Sequence, residues 1–144
     1  MLFKNCDSLI SVDFTYFNSD NIDNMAELFS GCSSLESINF TNFNTSKVIK
    51  MNSMFYECES LTSLDLNNFE TQMVDDMSSI FYGCRSLQFL DLENFCYNIT
   101  MDYNDMFYNI SKEGTVIYRS NRFFLPLKEF ENWKKKRFIF CGLK

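Results

Sequence analysis

The feature that most constrains this chain is a repeat of 26 residues that persists through most of its length. Phe3, Phe29, Phe55, Phe81 and Phe107 are each one step apart. The same step separates Cys6, Cys32, Cys58 and Cys84, then Leu9, Leu35, Leu61 and Leu87. It also relates Val12, Ile38, Leu64 and Leu90, then Phe14, Phe40, Leu66 and Leu92, then Phe17, Phe43, Phe69 and Phe95. Met25, Met51 and Met77 complete the unit. Columns held in phase over four copies mark a repeat architecture, in which each unit packs on copies of itself.

Within a unit the pattern changes period. In the second copy, Ile38 and Phe40 alternate with polar residues, the period of a strand with one buried face. Further on, Met51, Met54, Phe55 and Cys58 fall at i, i+3, i+4 and i+7, the spacing of one helix face. Met25, Leu28, Phe29 and Cys32 repeat it, as do Met77, Ile80, Phe81 and Cys84. The expected coil is therefore one short strand and one short helix joined by polar turns. Stacked coils would bring their strands about 4.8 Å apart in a parallel sheet. The expected fold is an α/β right-handed solenoid, with the sheet on its concave face and short helices on its convex face. Four full coils and the start of a fifth fill residues 1–109, and 110–144 form a C-terminal capping segment of the same domain. In that segment Thr115–Tyr118 and Arg137–Phe140 read as strands, and Pro126 opens a helix through Leu127–Lys136. Lys134, Lys135, Lys136 and Arg137 read first as a solvated face and second as a docking patch for acidic groups.

These columns resemble the BspA-like leucine-rich repeats of bacterial and protist surface proteins. The likeness is carried by Met54-Phe55-Tyr56-Glu57-Cys58-Glu59-Ser60-Leu61-Thr62-Ser63-Leu64-Asp65-Leu66-Asn67-Asn68-Phe69 and covers about residues 2–109. It implies a right-handed solenoid and, for the family, adhesion or host-protein binding at a cell surface, with no catalytic residue. Asn side chains of such repeats can bond backbone of the neighbouring coil, which singles out Asn42, Asn68 and Asn94; Tyr16 interrupts that column in the first copy.

Charge limits the partners. Residues 1–109 carry four bases against 16 acids, a net −12, while 110–144 carry nine bases against three acids, a net +6. The acidic majority disfavours nucleic acid. No apolar run reaches the roughly 20 residues of a membrane span, and the N-terminus has no signal-peptide pattern. A surface or secreted location therefore requires a longer precursor, and a cytoplasmic one is the alternative. The first coil starts without a cap, so either further chain covers it or its open edge forms a homodimer.

The outward positions of the strands are the candidate binding surface: Asp13 in the first copy, Ser37 and Asn39 in the second, Ser63 and Asp65 in the third, Phe89, Asp91 and Glu93 in the fourth. A protein or glycan partner is expected there. Asp65 and Asp91 should be one strand spacing apart, where like charges need hydrogen-bond donors or a cation. Asn39 interrupts the acidic stripe, so no metal or cofactor is expected, and the carboxylates are read as bonded to nearby hydroxyls. The chain has no His, no nucleophile–base pair, no phosphate loop and no zinc spacing, so an enzyme is not expected. The cysteines form no Cys-x-x-Cys pair, and the four in the column read as buried free thiols. Cys96 and Cys141 lie outside it, with their pairing open. Four Asn-x-Ser/Thr sequons, at Asn39, Asn44, Asn98 and Asn109, are weak evidence for secretion in a chain this rich in those residues.

Overall fold

A computed structural model describes residues 2–92, 94–96 and 101–111 in full, and 113–118 and 135–140 by their backbone. Its strands are β1 (Ser11–Asp13), β2 (Ser37–Asn39), β3 (Ser63–Asp65), β4 (Phe89–Leu92), β5 (Glu113–Tyr118) and β6 (Lys135–Phe140). All pair in parallel, β1 with β2 in one sheet and β3-β4-β5-β6 in another. The register follows the repeat: Val12 lies opposite Ile38, and Leu64 opposite Leu90. The same step of 26 residues places Leu90 opposite Val116, so the strand pattern continues one unit beyond the sequence columns. From β5 to β6 the step falls to 22, with Val116 opposite Phe138. β5 and β6 contain both strands expected of the C-terminal segment. The helix expected at Leu127–Lys136 lies mostly outside the described residues, but Lys135 and Lys136 belong to β6.

The short helices expected opposite the strands do not form: no helix occurs among the described residues. The segments from Met25, Met51 and Met77 are instead chains of tight turns. In the second of them, Met54 N–H donates to Met51 O, Tyr56 N–H to Ser53 O and Cys58 N–H to Phe55 O. The intervening amides reach the next repeat: Ser53 N–H donates to Ser78 O, Phe55 N–H to Ile80 O and Glu57 N–H to Tyr82 O, at 2.7–2.9 Å. A helix closes all its hydrogen bonds on itself. Over residues 51–58, three amides close a turn and four join this repeat to the next, so eight residues need no independent helical stability. Two columns take positive φ to make the turns: Glu27, Ser53, Ser79 and Asp105, then Asn5, Gly31, Glu57, Gly83 and Asn109. At Gly83 a Cβ would stand 3.1 Å from Glu57 Cγ, so the small residue also makes room for the side chain of the preceding repeat. The i, i+3, i+4, i+7 positions still face inward, and Met51, Met54, Phe55 and Cys58 are all fully buried.

The core consists of side chains stacked on their own copies. Phe3, Phe29, Phe55, Phe81 and Phe107 form a continuous pile, with ring centroids 5.3–5.9 Å apart and planes within 14° of parallel. Phe17, Phe43 and Phe69 form a second pile at 6.0 and 6.3 Å. Phe40 meets Phe69 edge-on at 4.9 Å, which knits the piles together in a favourable aromatic geometry. A third internal column is polar. Ser19, Thr45 and Thr71 are buried. Thr45 Oγ1 accepts from Glu70 N–H at 2.8 Å and donates to Glu70 O at 3.0 Å, and Thr71 does the same with Cys96. These hydroxyls satisfy backbone that the turns leave open.

Cys32, Cys58 and Cys84 are buried free thiols that donate to Phe3 O, Phe29 O and Phe55 O at 3.0–3.2 Å. Burial pushes the Cys84 thiol up to about 12, and raises Cys58 and Cys32 as well. Mapping of alkylation by iodoacetamide should find half-buried Cys6 and Cys96 modified in the native protein, and these three only after denaturation. Because the folded value lies above the ordinary 9.0, folding holds protons that the unfolded chain releases. Stability from this source is complete below pH 9.0 and declines as pH rises toward about 12. Equilibrium unfolding across that window checks it; a flat profile in a chain with native alkylation of Cys84 contradicts a sealed thiol column.

Candidate functional site

The outward side chains of β1 to β4 lie on one strand face, fixed by strand alternation and the repeat register. Ser11, Asp13, Ser37, Asn39, Ser63 and Asp65 are exposed there, and Phe89 retains 37% of its surface. The face is held by side-chain caps. Asp13 Oδ1 accepts from Thr15 N–H at 2.8 Å and from its hydroxyl at 2.6 Å. Asn39 Oδ1 accepts from Thr41 in the same way, at 2.9 and 2.7 Å. Asn39 Nδ2 crosses to Thr15 Oγ1 at 3.0 Å, joining the first two repeats. Asp65 Oδ1 accepts from Asn67 N–H at 3.0 Å. These bonds are the Asx geometry in which a carboxylate or amide closes on backbone two residues ahead. They hold the Asp13 carboxyl below its ordinary value, the Thr15 hydroxyl contributing most.

Asp91 departs from its expected place. It pairs with Asp65 in register but is only 8% exposed, while Phe89 two residues before it on the same strand is 37% exposed. The acidic stripe at the surface is thus Asp13 and Asp65, without Asp91. Glu93 lies outside the described residues. No group of three or more Cys, Asp or Glu side chains among the described residues is arranged to hold a metal ion.

The strand face is divided by a cleft between β2 and β3. Phe14 N–H donates to Asn39 O at 2.9 Å, and Leu66 N–H to Asp91 O at 3.1 Å. The corresponding bond from Phe40 to Asp65 is absent among the described residues, as is the one from Thr62 to Glu36. The opening encloses about 250 Å³, lined by residues 38–42 with Asp65, Asn67 and Asn68. The turn after β2 differs from its neighbours. Phe14–Phe17, Phe40–Phe43 and Leu66–Phe69 each close a turn by a 2.9 Å bond, but only in the second is the third residue left-handed, Asn42 at φ 65°. That marks a type II turn, whose central peptide is flipped relative to type I. Asn68 Nδ2 donates to Phe40 O at 2.9 Å, and Asn94 Nδ2 donates to Asn67 O, so those two extend the asparagine ladder. Asn42 makes no such bond among the described residues, and its side chain is exposed at the cleft.

Two surfaces were not anticipated. Tyr56, Tyr82 and Tyr108 stack at 4.6 and 4.9 Å on the side of the turns, and Tyr108 is 51% exposed. The signal was present as a column of Ser30, Tyr56, Tyr82 and Tyr108 at the repeat spacing. An apolar cavity of about 460 Å³ opens at the N-terminal repeat, lined by Leu2, Phe14, Phe17, Ile22, Met25 and Leu28 among others. No helix among the described residues is long and apolar enough to cross a membrane.

No curated protein and no solved structure matches the chain. A family model matches residues 1–119, which takes in the repeats, β1 to β5 and the whole strand face. The chain therefore belongs to the family described as "Mycoplasma protein of unknown function, DUF285".

Proposed function

We propose that this protein is a BspA-like leucine-rich-repeat solenoid that binds another macromolecule on its strand face, as an adhesive or partner-recognition module and not as an enzyme. In this reading the solenoid is right-handed, the sheet is concave and the tandem turns form the convex side. The observation that carries it is the strand face itself: Asp13, Asn39 and Asp65 recur at the strand spacing, each fixed by a cap to backbone two residues ahead, and Asn39 also bonds to Thr15 of the preceding repeat. Such a surface is ordered before a partner arrives, which lowers the entropy cost of binding. Its exposed carboxylates, Asp13 and Asp65, favour a protein or glycan partner over nucleic acid, and Phe89 offers an aromatic anchor.

The test is saturable binding of the purified chain to cultured epithelial cells, read by flow cytometry. The double variant Asp65→Lys with Phe89→Ala should lose at least about tenfold in affinity with its circular dichroism unchanged. Undiminished binding by that variant removes the strand face from the account, and an absence of binding by the unmodified chain removes cell-surface adhesion. The buried free thiols favour the second reading, an intracellular interaction scaffold in a reducing compartment. The apolar N-terminal cavity and the open edge of β1 are where a homodimer would form, and the sedimentation coefficient of the same samples reports it.

A further inference from the structure

We infer that the cleft between β2 and β3 is a subsite for a single neutral sugar ring, gripped by the side-chain amide of Asn42. The inference rests on the strand face being the ligand-binding face and adds the ligand's chemistry. Three observations carry it. The parallel ladder that joins β1 to β2 and β3 to β4 stops between β2 and β3, so Phe40 N–H and Asp65 O at the cleft lack the bond their counterparts make. The one left-handed residue in its column, Asn42, turns away from the asparagine ladder and leaves its amide at the opening. The remaining lining is Asn39, Thr41, Asn67 and Asn68, the apolar Ile38 and Phe40, and a single carboxylate, Asp65, with no cationic side chain.

Amides and hydroxyls both donate and accept, as sugar hydroxyls do. An acidic ligand finds no cation here. A basic side chain finds a single carboxylate, Asp65, amid amides, a hydroxyl and apolar groups, without the paired carboxylates that would grip a cation. An apolar side chain would strand the open backbone groups, at the cost of burying unpaired donors and acceptors. The volume, about 250 Å³, lies just below the ~300–1,000 Å³ of pockets for drug-sized molecules. It suits one ring at the end of a glycan and not a chain of several.

The experiment is titration of the ¹⁵N-labelled full chain with free N-acetylglucosamine, galactose and mannose, and separately with a neutral and a basic tripeptide. At least one sugar should give saturable shifts confined to amides of residues 38–42 and 65–68, with Kd in the ~mM range expected for so small a contact. Asn42→Gly keeps the left-handed turn and deletes the amide; it should weaken that binding about tenfold while shifts elsewhere stay in place. Asn42→Asp keeps the size and removes the donor, and should weaken it similarly. Saturable shifts from a tripeptide alone, from no probe at all, or from sugars equally in Asn42→Gly each overturn the subsite. Cell binding that is lost in the Asp65, Phe89 double variant while no sugar binds leaves the proposed function standing and ends this inference alone.

Discussion

Phe55→Ala should destabilise the protein by about 3–5 kcal/mol, the largest effect expected of any single truncation in the repeats. Phe55 is fully buried, with Phe29 at 5.9 Å on one side and Phe81 at 5.8 Å on the other. Phe40 adds an edge contact at 6.3 Å. Removing the ring takes away both stacking partners of the pile's centre and leaves a cavity that the neighbouring repeats cannot fill, because their backbones are tied at Phe55 N–H to Ile80 O and Phe29 N–H to Met54 O. Small domains have only about 5–15 kcal/mol of stability in total, so the variant should sit near its unfolding transition. Urea unfolding followed by circular dichroism measures it. Phe107→Ala, near the end of the pile, should cost less. Equal and small losses at both positions would mean that the rings do not form one continuous column.

The second large effect is expected at a residue that changes almost no volume. Thr45→Val replaces the buried hydroxyl that both accepts from Glu70 N–H and donates to Glu70 O. Each backbone group left without a partner costs about 1–3 kcal/mol, so a total of at least about 2 kcal/mol is expected. Thr45→Ser restores the hydroxyl and should recover most of it, losing only the packing of a methyl group. Urea midpoints of the three proteins decide the matter. If Val and Ser behave alike, packing and not hydrogen bonding holds this column.

Much of this architecture is legible in the sequence because stacking makes each column report on itself. The buried set, the strands and their register follow from Phe, Leu, Cys and Met recurring at one spacing. The tandem turns were not legible, because Met51, Met54, Phe55 and Cys58 present the same inward spacing on a turn chain as on a helix. The contrary signals were weak: Gly31 and Gly83 with Asn5 and Asn109 in one left-handed column, and Ser53 with Ser79 in another. Glu27 and Glu57 adopt the same left-handed backbone with no sequence preference for it, held there by bonds to the following repeat. On the strand face, Asp13 with Thr15 and Asn39 with Thr41 are readable as local caps. The burial of Asp91 was not, since its copies Asp13, Asn39 and Asp65 in the same column are exposed. Nor was the cleft: Asn42, Asn68 and Asn94 are one residue type in one column, and only backbone conformation separates the first from the others.

Scalar couplings across hydrogen bonds, detected by long-range HNCO spectroscopy, read the repeat-to-repeat connection without intermediaries. Cross-peaks linking Ser53 N–H to the Ser78 carbonyl, Phe55 N–H to Ile80 and Glu57 N–H to Tyr82 are predicted. Couplings from these amides to carbonyls four residues earlier in their own segment, as in a helix, would contradict the stacking of one repeat upon the next.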